Sequence, residues 1–271
     1  MEGGGVMTGG ELLGAMAVNL VVLLAALVAL WAVSVALRNA SIIDIFWGPA
    51  CASGAWLMAL RADRADPRAS LLLILVTVWA LRLAAYLAMR NIGHGEDARY
   101  QAMRKRRASD ADFARWSLVY VFALQGLLAW LVSFPVQIGQ FGQGGEIGVV
   151  GWIGVALFAV GLSFETIGDF QLARFKSQPE NKGKLMTGGV WAWTRHPNYF
   201  GDSCVWIGLA LIALPAPWGA LGLLSPIVMT HLLHNVSGKA LTERSMERRY
   251  PEYAEWKART SGFIPRPPRR G

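Results

Sequence analysis

The stretch Thr194-Arg195-His196-Pro197-Asn198-Tyr199-Phe200-Gly201-Asp202 sets Arg195, His196, Asn198, Tyr199 and Asp202 at the mouth of an apolar run, with Gly188 and Gly189 leading into it. Bringing so many polar groups to a bilayer is costly unless they bind something. Upstream, the segment from Arg174 to Arg195 adds Lys176, Lys182 and Lys184, between helices that also carry Glu165, Asp169 and Asp202. Lys and Arg gathered in this way suit an anionic ligand, because charge-assisted bonds to an anion are among the strongest a side chain makes. The chemistry indicated is the binding of an anionic cofactor.

A bilayer must position these groups. The chain is 54% apolar and 16% charged, with a mean hydropathy of +0.36, which is a membrane composition. A spanning helix needs roughly 20 mostly apolar residues. Such runs lie near Leu12 to Leu37, Ser41 to Leu60, Ser70 to Met89, Trp116 to Ile138 and Ile147 to Leu172. Two more, about Tyr199 to Leu214 and about Trp218 to Leu233, are divided by Pro215, Ala216 and Pro217, which reads as a tight helical hairpin. The expectation is an all-α polytopic membrane protein of about seven transmembrane helices. The first run is no cleavable signal: it is too long, and Glu2 and Glu11 flank it without Lys or Arg.

The basic residues orient these spans. One face carries Arg38, the segment from Arg90 to Arg115, the segment from Arg174 to Arg195 and everything after Lys239, while the other carries Arg61, Arg64 and Arg68. The N-terminus is therefore expected outside and the C-terminus in the cytoplasm, which in a bacterium means the inner membrane. The net charge of +8 fits this topology and attraction to anionic lipid, and nucleic acid is not an expected partner.

Organisation is read as one membrane domain over residues 1–271, without repeats. Glu96 to Arg115, mixing Arg104, Lys105, Arg106 and Arg107 with Tyr100, Met103 and Phe113, predicts an interfacial helix. Leu241 to Lys257 reads as one polar amphipathic helix, and Pro265 to Gly271 as a disordered tail. Cys51 and Cys204 fall within spans and read as packing residues. Four histidines in all, with His231 and His234 three apart, supply too few ligands for a membrane di-iron site, and no metal is expected.

From Phe164 to Pro265 the chain resembles the C-terminal catalytic domain of steroid 5-alpha reductases, in the bacterial, domain-of-unknown-function branch of that family. The resemblance is carried by Gly168-Asp169-Phe170-Gln171-Leu172 with Phe175-Lys176, by Asn181-Lys182-Gly183-Lys184-Leu185 before Gly188-Gly189-Val190-Trp191, by Arg195 to Asp202 with Trp206, and by Tyr250-Pro251-Glu252-Tyr253 with Phe263-Ile264-Pro265. A weaker match covers Ser41 to Gly48, and Trp79 to Arg82 with Tyr86. It implies a seven-helix reductase, acting as a monomer, that holds NADPH in a cytoplasm-facing cavity and reduces the carbon-carbon double bond of a conjugated 3-oxo lipid, a steroid or similar hydrophobic enone.

Under that resemblance Lys176, Lys184 and Arg195 pair with phosphates, and Asp169 accepts from ribose hydroxyls or holds a neighbouring base. Asn198 and Asp202 reach the nicotinamide and its ribose, with His196 and Tyr199 beside them, and Glu243 faces the cofactor from the last helix. Where the mammalian enzymes use a Gln-Glu pair and a Tyr on the ketone, this chain has Ile43-Asp44 and Trp79. Asp44, kept protonated by desolvation, is then the candidate proton donor, with Arg82 or Tyr86 as its partner. Trp79, Arg82 and Tyr86 share a helix face, and a packing role for Asp44 is pairing with Arg82.

The Arg195 to Gly201 stretch and the Glu243 to Pro265 tail also resemble isoprenylcysteine carboxyl methyltransferases and phospholipid methyltransferases, which bind S-adenosylmethionine. That ligand has no phosphate and gives no reason for Lys176, Lys182 and Lys184. A transporter would carry its charges near mid-membrane in broken helices, whereas here they gather at one face.

Overall fold

The computed structural model describes residues 8–62, 66–141, 146–236 and 239–268, so Arg64 and residues 269–271 lie outside the described residues. Among these residues the chain is helical, with no strand. The helices are α1 (Gly9–Leu37), α2 (Ile42–Ala59), α3 (Pro67–Asn91), α4 (Ala98–Lys105), α5 (Asp110–Ser117), α6 (Leu124–Val132), α7 (Phe134–Ile138), α8 (Val149–Ser177), α9 (Pro197–Ala213), α10 (Leu224–His231), α11 (Lys239–Arg249) and α12 (Tyr253–Arg259). A π-helical turn at Leu118–Ala123 joins α5 to α6, giving one rod over Asp110–Val132.

Five helices are long and apolar enough to cross a membrane by length and composition: α1, α2, α3, the Asp110–Val132 rod and α8. They correspond to the first five expected spans, except that the fourth, expected over Trp116 to Ile138, starts earlier at Asp110 and stops at Val132, with Phe134–Ile138 a separate helix. The sixth expected span is α9, seventeen residues long. The seventh is divided into a 3-10 turn at Gly219–Leu223, α10, and a π turn at Leu232–Val236. Pro215 and Pro217 make the turn after α9, as their lack of an amide donor requires, and a Cβ on Gly219 would sit 2.4 Å from the Ala213 carbonyl oxygen.

Local signals explain most boundaries. Thr8 and Glu11 form a reciprocal capping box at the start of α1. Asp66, Asp97 and Ser109 cap α3, α4 and α5 with their side-chain oxygens. That last cap breaks the interfacial helix expected over Glu96 to Arg115 into α4 and α5. The single helix expected over Leu241 to Lys257 is likewise two, α11 and α12, because Pro251 stops the first.

The chain divides into two compact units, Met1–Gly148 with Ile212–Leu224, and Val149–Leu211 with Ser225–Gly271. In the first, α2 and α3 pack so closely that a Cβ on Gly48 would lie 2.8 Å from the Ala80 carbonyl. Its interior also holds a polar cluster. Asn19, 1% exposed, donates to Gln137 Oε1 at 3.1 Å and accepts from Arg61 Nη1 at 3.1 Å. Gln137 in turn donates to Ser133 Oγ at 2.7 Å. Each group is matched, as burial demands.

The second unit is organised by glycines spaced seven apart on two helices. Gly161 and Gly201 meet so closely that a Cβ on either would fall within 2.6 Å of the other's carbonyl oxygen, and a Cβ on Gly208 would lie 2.5 Å from the Gly154 carbonyl. One turn of the pattern further on, Gly168 faces Pro197, 3.2 Å from its would-be Cβ. Small residues at such an interface let two helix backbones touch, and antiparallel seven-residue steps keep α8 and α9 in register. The register brings the polar start of α9 level with Gly168, one to two turns before Leu172, Phe175 and Lys176 near the end of α8.

Candidate functional site

The loop between α8 and α9 is docked onto α8 by groups the sequence motifs supply. Val190 donates its backbone N–H to Gln171 Oε1 at 3.0 Å, and Trp191 donates its indole N–H to the Gly168 carbonyl at 3.0 Å. Gly189 has φ +60, and Gln171's amide fills the space where its Cβ would be. Only glycine meets both conditions. Gly168, Gln171, Gly189 and Trp191 therefore clip this loop to α8.

A cavity of about 620 Å³ opens in this unit. Its basic edge carries Lys176, Lys182, Lys184 and Arg249, all exposed. Its aromatic wall is built by Phe175, Trp191, Tyr199, Tyr250, Tyr253 and Trp256, and Asn198 and Thr242 add neutral polar groups. Lys182 and Lys184 take no part in the ion pairs of the described residues. The cavity thus sets exposed cations beside aromatic side chains, a pairing that suits a ligand with phosphates and aromatic rings.

Behind it sits a buried lock. Arg195, 8% exposed, donates to Glu243 Oε1 through Nε at 3.0 Å and Nη2 at 2.8 Å. Its Nη1 donates to the Lys257 and Thr260 carbonyls at 3.1 and 2.6 Å. His196 Nε2 lies 3.2 Å from Glu243 Oε1, and Lys257 Nζ 3.4 Å from Oε2. Burial alone would push the Glu243 carboxyl up, but hydrogen bonds from His196 and Arg195, with their charges, outweigh it and hold the group down at about 2. Burial first, then the nearby Glu243 charge, pushes the Tyr253 phenol up to about 12. The lock is extended by backbone: Arg195 N–H donates to the Ser261 carbonyl at 2.9 Å, and Thr194 Oγ1 to the Phe263 carbonyl at 2.8 Å. The tail expected to be disordered from Pro265 is also engaged at its start, where the Arg266 N–H donates to the Trp193 carbonyl at 2.9 Å.

Of the expected cofactor residues, Lys176, Lys184, Arg195, His196, Asn198 and Tyr199 line this one cavity. His196 and Tyr199 stack, their ring centroids 5.1 Å apart. Arg195 differs from expectation: most of its fork is bound to Glu243 and to carbonyls, so it holds the wall in place before it can meet a phosphate. Glu243, expected to face the cofactor, is the counter-ion of that lock. Asp169, 6% exposed, and the half-buried Asp202 stand outside the set of lining residues.

Asp44, Arg82 and Tyr86 belong to the first unit. Asp44 is not paired with Arg82 or Tyr86 as expected. Its Oδ2 accepts from Arg99 Nη2 at 2.7 Å and its Oδ1 from the Tyr100 hydroxyl at 2.6 Å. Both carboxylate oxygens of Asp44 are thus engaged by groups of α4. Arg82 lies over the Tyr86 ring, 6.0 Å from its centroid, and Arg90 over the same ring at 6.0 Å.

The residues missed at the sequence level are Tyr100 with Arg99, and the aromatic wall of Tyr250, Tyr253 and Trp256. The wall had a signal, since these aromatics recur at three-residue steps around Pro251. The Asp44 pairing had none, because its partners come from another helix 55 and 56 residues away.

A family model described as "Protein of unknown function (DUF1295)" matches residues 30–260. An uncharacterized protein of Schizosaccharomyces pombe is 26% identical over 262 residues, covering 88% of this chain and 76% of the relative. A probable O-methyltransferase of Ustilaginoidea virens is 45% identical over 58 residues, 21% of this chain and 20% of that protein. A delta(14)-sterol reductase of Gibberella zeae is 31% identical over 99 residues, 32% of this chain and 18% of that protein. The chain thus spans about a fifth of each of the last two.

Proposed function

This chain belongs to the DUF1295 family, and on that premise we propose that it is an NADPH-dependent membrane reductase acting on the carbon-carbon double bond of a conjugated 3-oxo lipid, a steroid or a similar enone. The observation that carries the reading is the cavity edge: Lys182 and Lys184, exposed and outside the ion pairs of the described residues, stand beside Lys176 against an aromatic wall. The similarity to a sterol reductase and the resemblance of residues 164–265 to steroid 5-alpha reductases support it.

When bound, NADPH supplies the hydride. The chain's own residues do the rest. Lys176, Lys182 and Lys184 hold phosphates, and the aromatic wall offers faces to flat rings. Asn198 and Tyr199, which line the cavity, orient the nicotinamide end. The Arg195–Glu243 lock fixes α11 and α12, which carry Thr242, Tyr250, Tyr253 and Trp256 into the wall. Reduction of an enone gathers negative charge on its oxygen, and a donor in a dry site stabilises it far more than water does. Arg82 and Tyr86 are the donors assigned to that oxygen, and Asp44 is a clamp on Arg99 and Tyr100. The substrate is hydrophobic and arrives from the bilayer. The basic face of the spans is cytoplasmic, and the protein acts as a monomer in the membrane.

A second reading, a membrane methyltransferase using S-adenosylmethionine, is favoured by the identity to a probable O-methyltransferase. It leaves the lysine edge without a purpose. Single-turnover oxidation of bound NADPH by 3-oxo-4-ene steroids and shorter enones tests the first reading: a bleach at the nicotinamide band with one member of the panel is expected, and none with any member, alongside methyl transfer from S-adenosylmethionine, is the opposing result.

A further inference from the structure

A second cavity, of about 250 Å³, lies in the first unit at one end of two spanning segments. It is lined by Ser34, Val35 and Arg38 from the end of α1 and by Arg104, Asp110 and Phe113 from α4 and α5, among others. The two segments are tied here by the Trp31 indole, which donates to the Ala114 carbonyl at 2.9 Å. Arg38 is the residue after the last turn of α1, held at φ 51. A residue at the end of a bilayer-spanning helix sits at the level of lipid headgroups.

The charges are unevenly satisfied. Arg104 is committed: it bonds Glu96 through Nε and Nη2 at 3.0 and 2.8 Å, reaches Asp110 Oδ1 at 3.3 Å, and lies 4.1 Å from the Phe113 ring centroid. Arg38 is not. Its side chain is 81% exposed and its ion pair with Asp110 is long, at 3.8 Å. Around the cavity the segment 104–107 is wholly basic, and Arg107 lies over the Trp116 ring at 4.2 Å with its Nε buried and without a hydrogen-bond partner. Below the headgroup level, α1 exposes Val35 and Leu37, and the π turn exposes Val119 and Tyr120, which are apolar tracks for acyl chains.

We propose that this cavity seats the phosphodiester of one anionic phospholipid, with Arg38 as the residue that binds it and Arg104 as the fixed cation at its back. Basic pockets between transmembrane helices are where such headgroups are held. The proposal is independent of the cofactor cavity and of the reductase reading.

Protein purified in detergent, titrated with dioleoyl phosphatidylglycerol, dioleoyl phosphatidylcholine and inorganic phosphate, and read by native mass spectrometry, tests it. One saturable phosphatidylglycerol adduct is expected, weakened about fivefold in Arg38→Ala and unchanged in Arg106→Ala, an exposed cation of the same segment outside the cavity. Phosphatidylcholine and free phosphate should not compete. Equal loss in both variants would show a diffuse basic belt and overturn the proposal, as would binding that follows free phosphate or ignores Arg38. Because the Arg38 side chain is exposed, its removal leaves the fold intact, and an unchanged melting temperature of the lipid-free variant checks this.

Discussion

At the scale of single residues, the exposed cations at the cavity edge differ in role from the buried Arg195. Lys184→Ala and Lys176→Ala should each weaken NADPH binding by about 1 to 3 kcal/mol, the range for a hydrogen bond to a charged group, and binding should fall with added salt. Isothermal titration at two salt concentrations reads both effects. Glu243 behaves otherwise. Its carboxyl is held at about 2 against roughly 4.3 in an unfolded chain. A depressed carboxylate stabilises the fold in full above the unfolded value and loses that contribution as pH falls from about 4.3 through about 2. Glu243→Gln should therefore cost about 3 kcal/mol near neutral pH and flatten the dependence of melting temperature on pH below 4.3, because the titrating group is gone. A variant as stable as the parent and as steep in acid would show that Glu243 does not lock Arg195 in place.

At the scale of elements, glycine spacing decides how α8 and α9 meet. Gly161→Ala would drive a Cβ to 2.4 Å from the Gly201 carbonyl and should destabilise the protein by about 1 to 3 kcal/mol. Gly14→Ala on α1 meets nothing within 4 Å and should stabilise by up to about 1 kcal/mol. Melting of the two variants side by side checks the opposite signs. These elements also show what was legible beforehand. Apolar runs long enough to span marked α1, α2, α3, the Asp110–Val132 rod and α8, and prolines at 215 and 217 marked the turn after α9. The stops inside polar segments were underweighted: Ser109 caps a new helix and Pro251 ends one, although both residues were visible. The clustering of residues 176–199 around one cavity was legible because they are near in sequence. The partners of Arg195 and Asp44 were not, since Glu243 and Tyr100 reach them from 48 and 56 residues away, and charge counting cannot choose between one distant partner and another. The seven-residue glycine steps stood in the sequence too, but their meaning depends on the register of a second helix.

At the scale of the whole molecule, the uneven distribution of Lys and Arg sets the topology proposed for the chain. Reporter fusions after Glu11, within Gln140 to Glu146 and at Gly271 should report outside, outside and inside, and an external signal at Gly271 would reverse it. In the proposed topology a soluble cytoplasmic cofactor would reach the lysine edge. NADPH binding is tested most directly by titrating the purified protein with NADPH, NADH and S-adenosylmethionine and following the shift in melting temperature. A saturable rise with NADPH is expected, with a smaller one with NADH, none with S-adenosylmethionine, and loss of the NADPH shift when Lys176 and Lys184 are both changed to Ala. A rise with S-adenosylmethionine alone, untouched by those substitutions, would contradict this expectation.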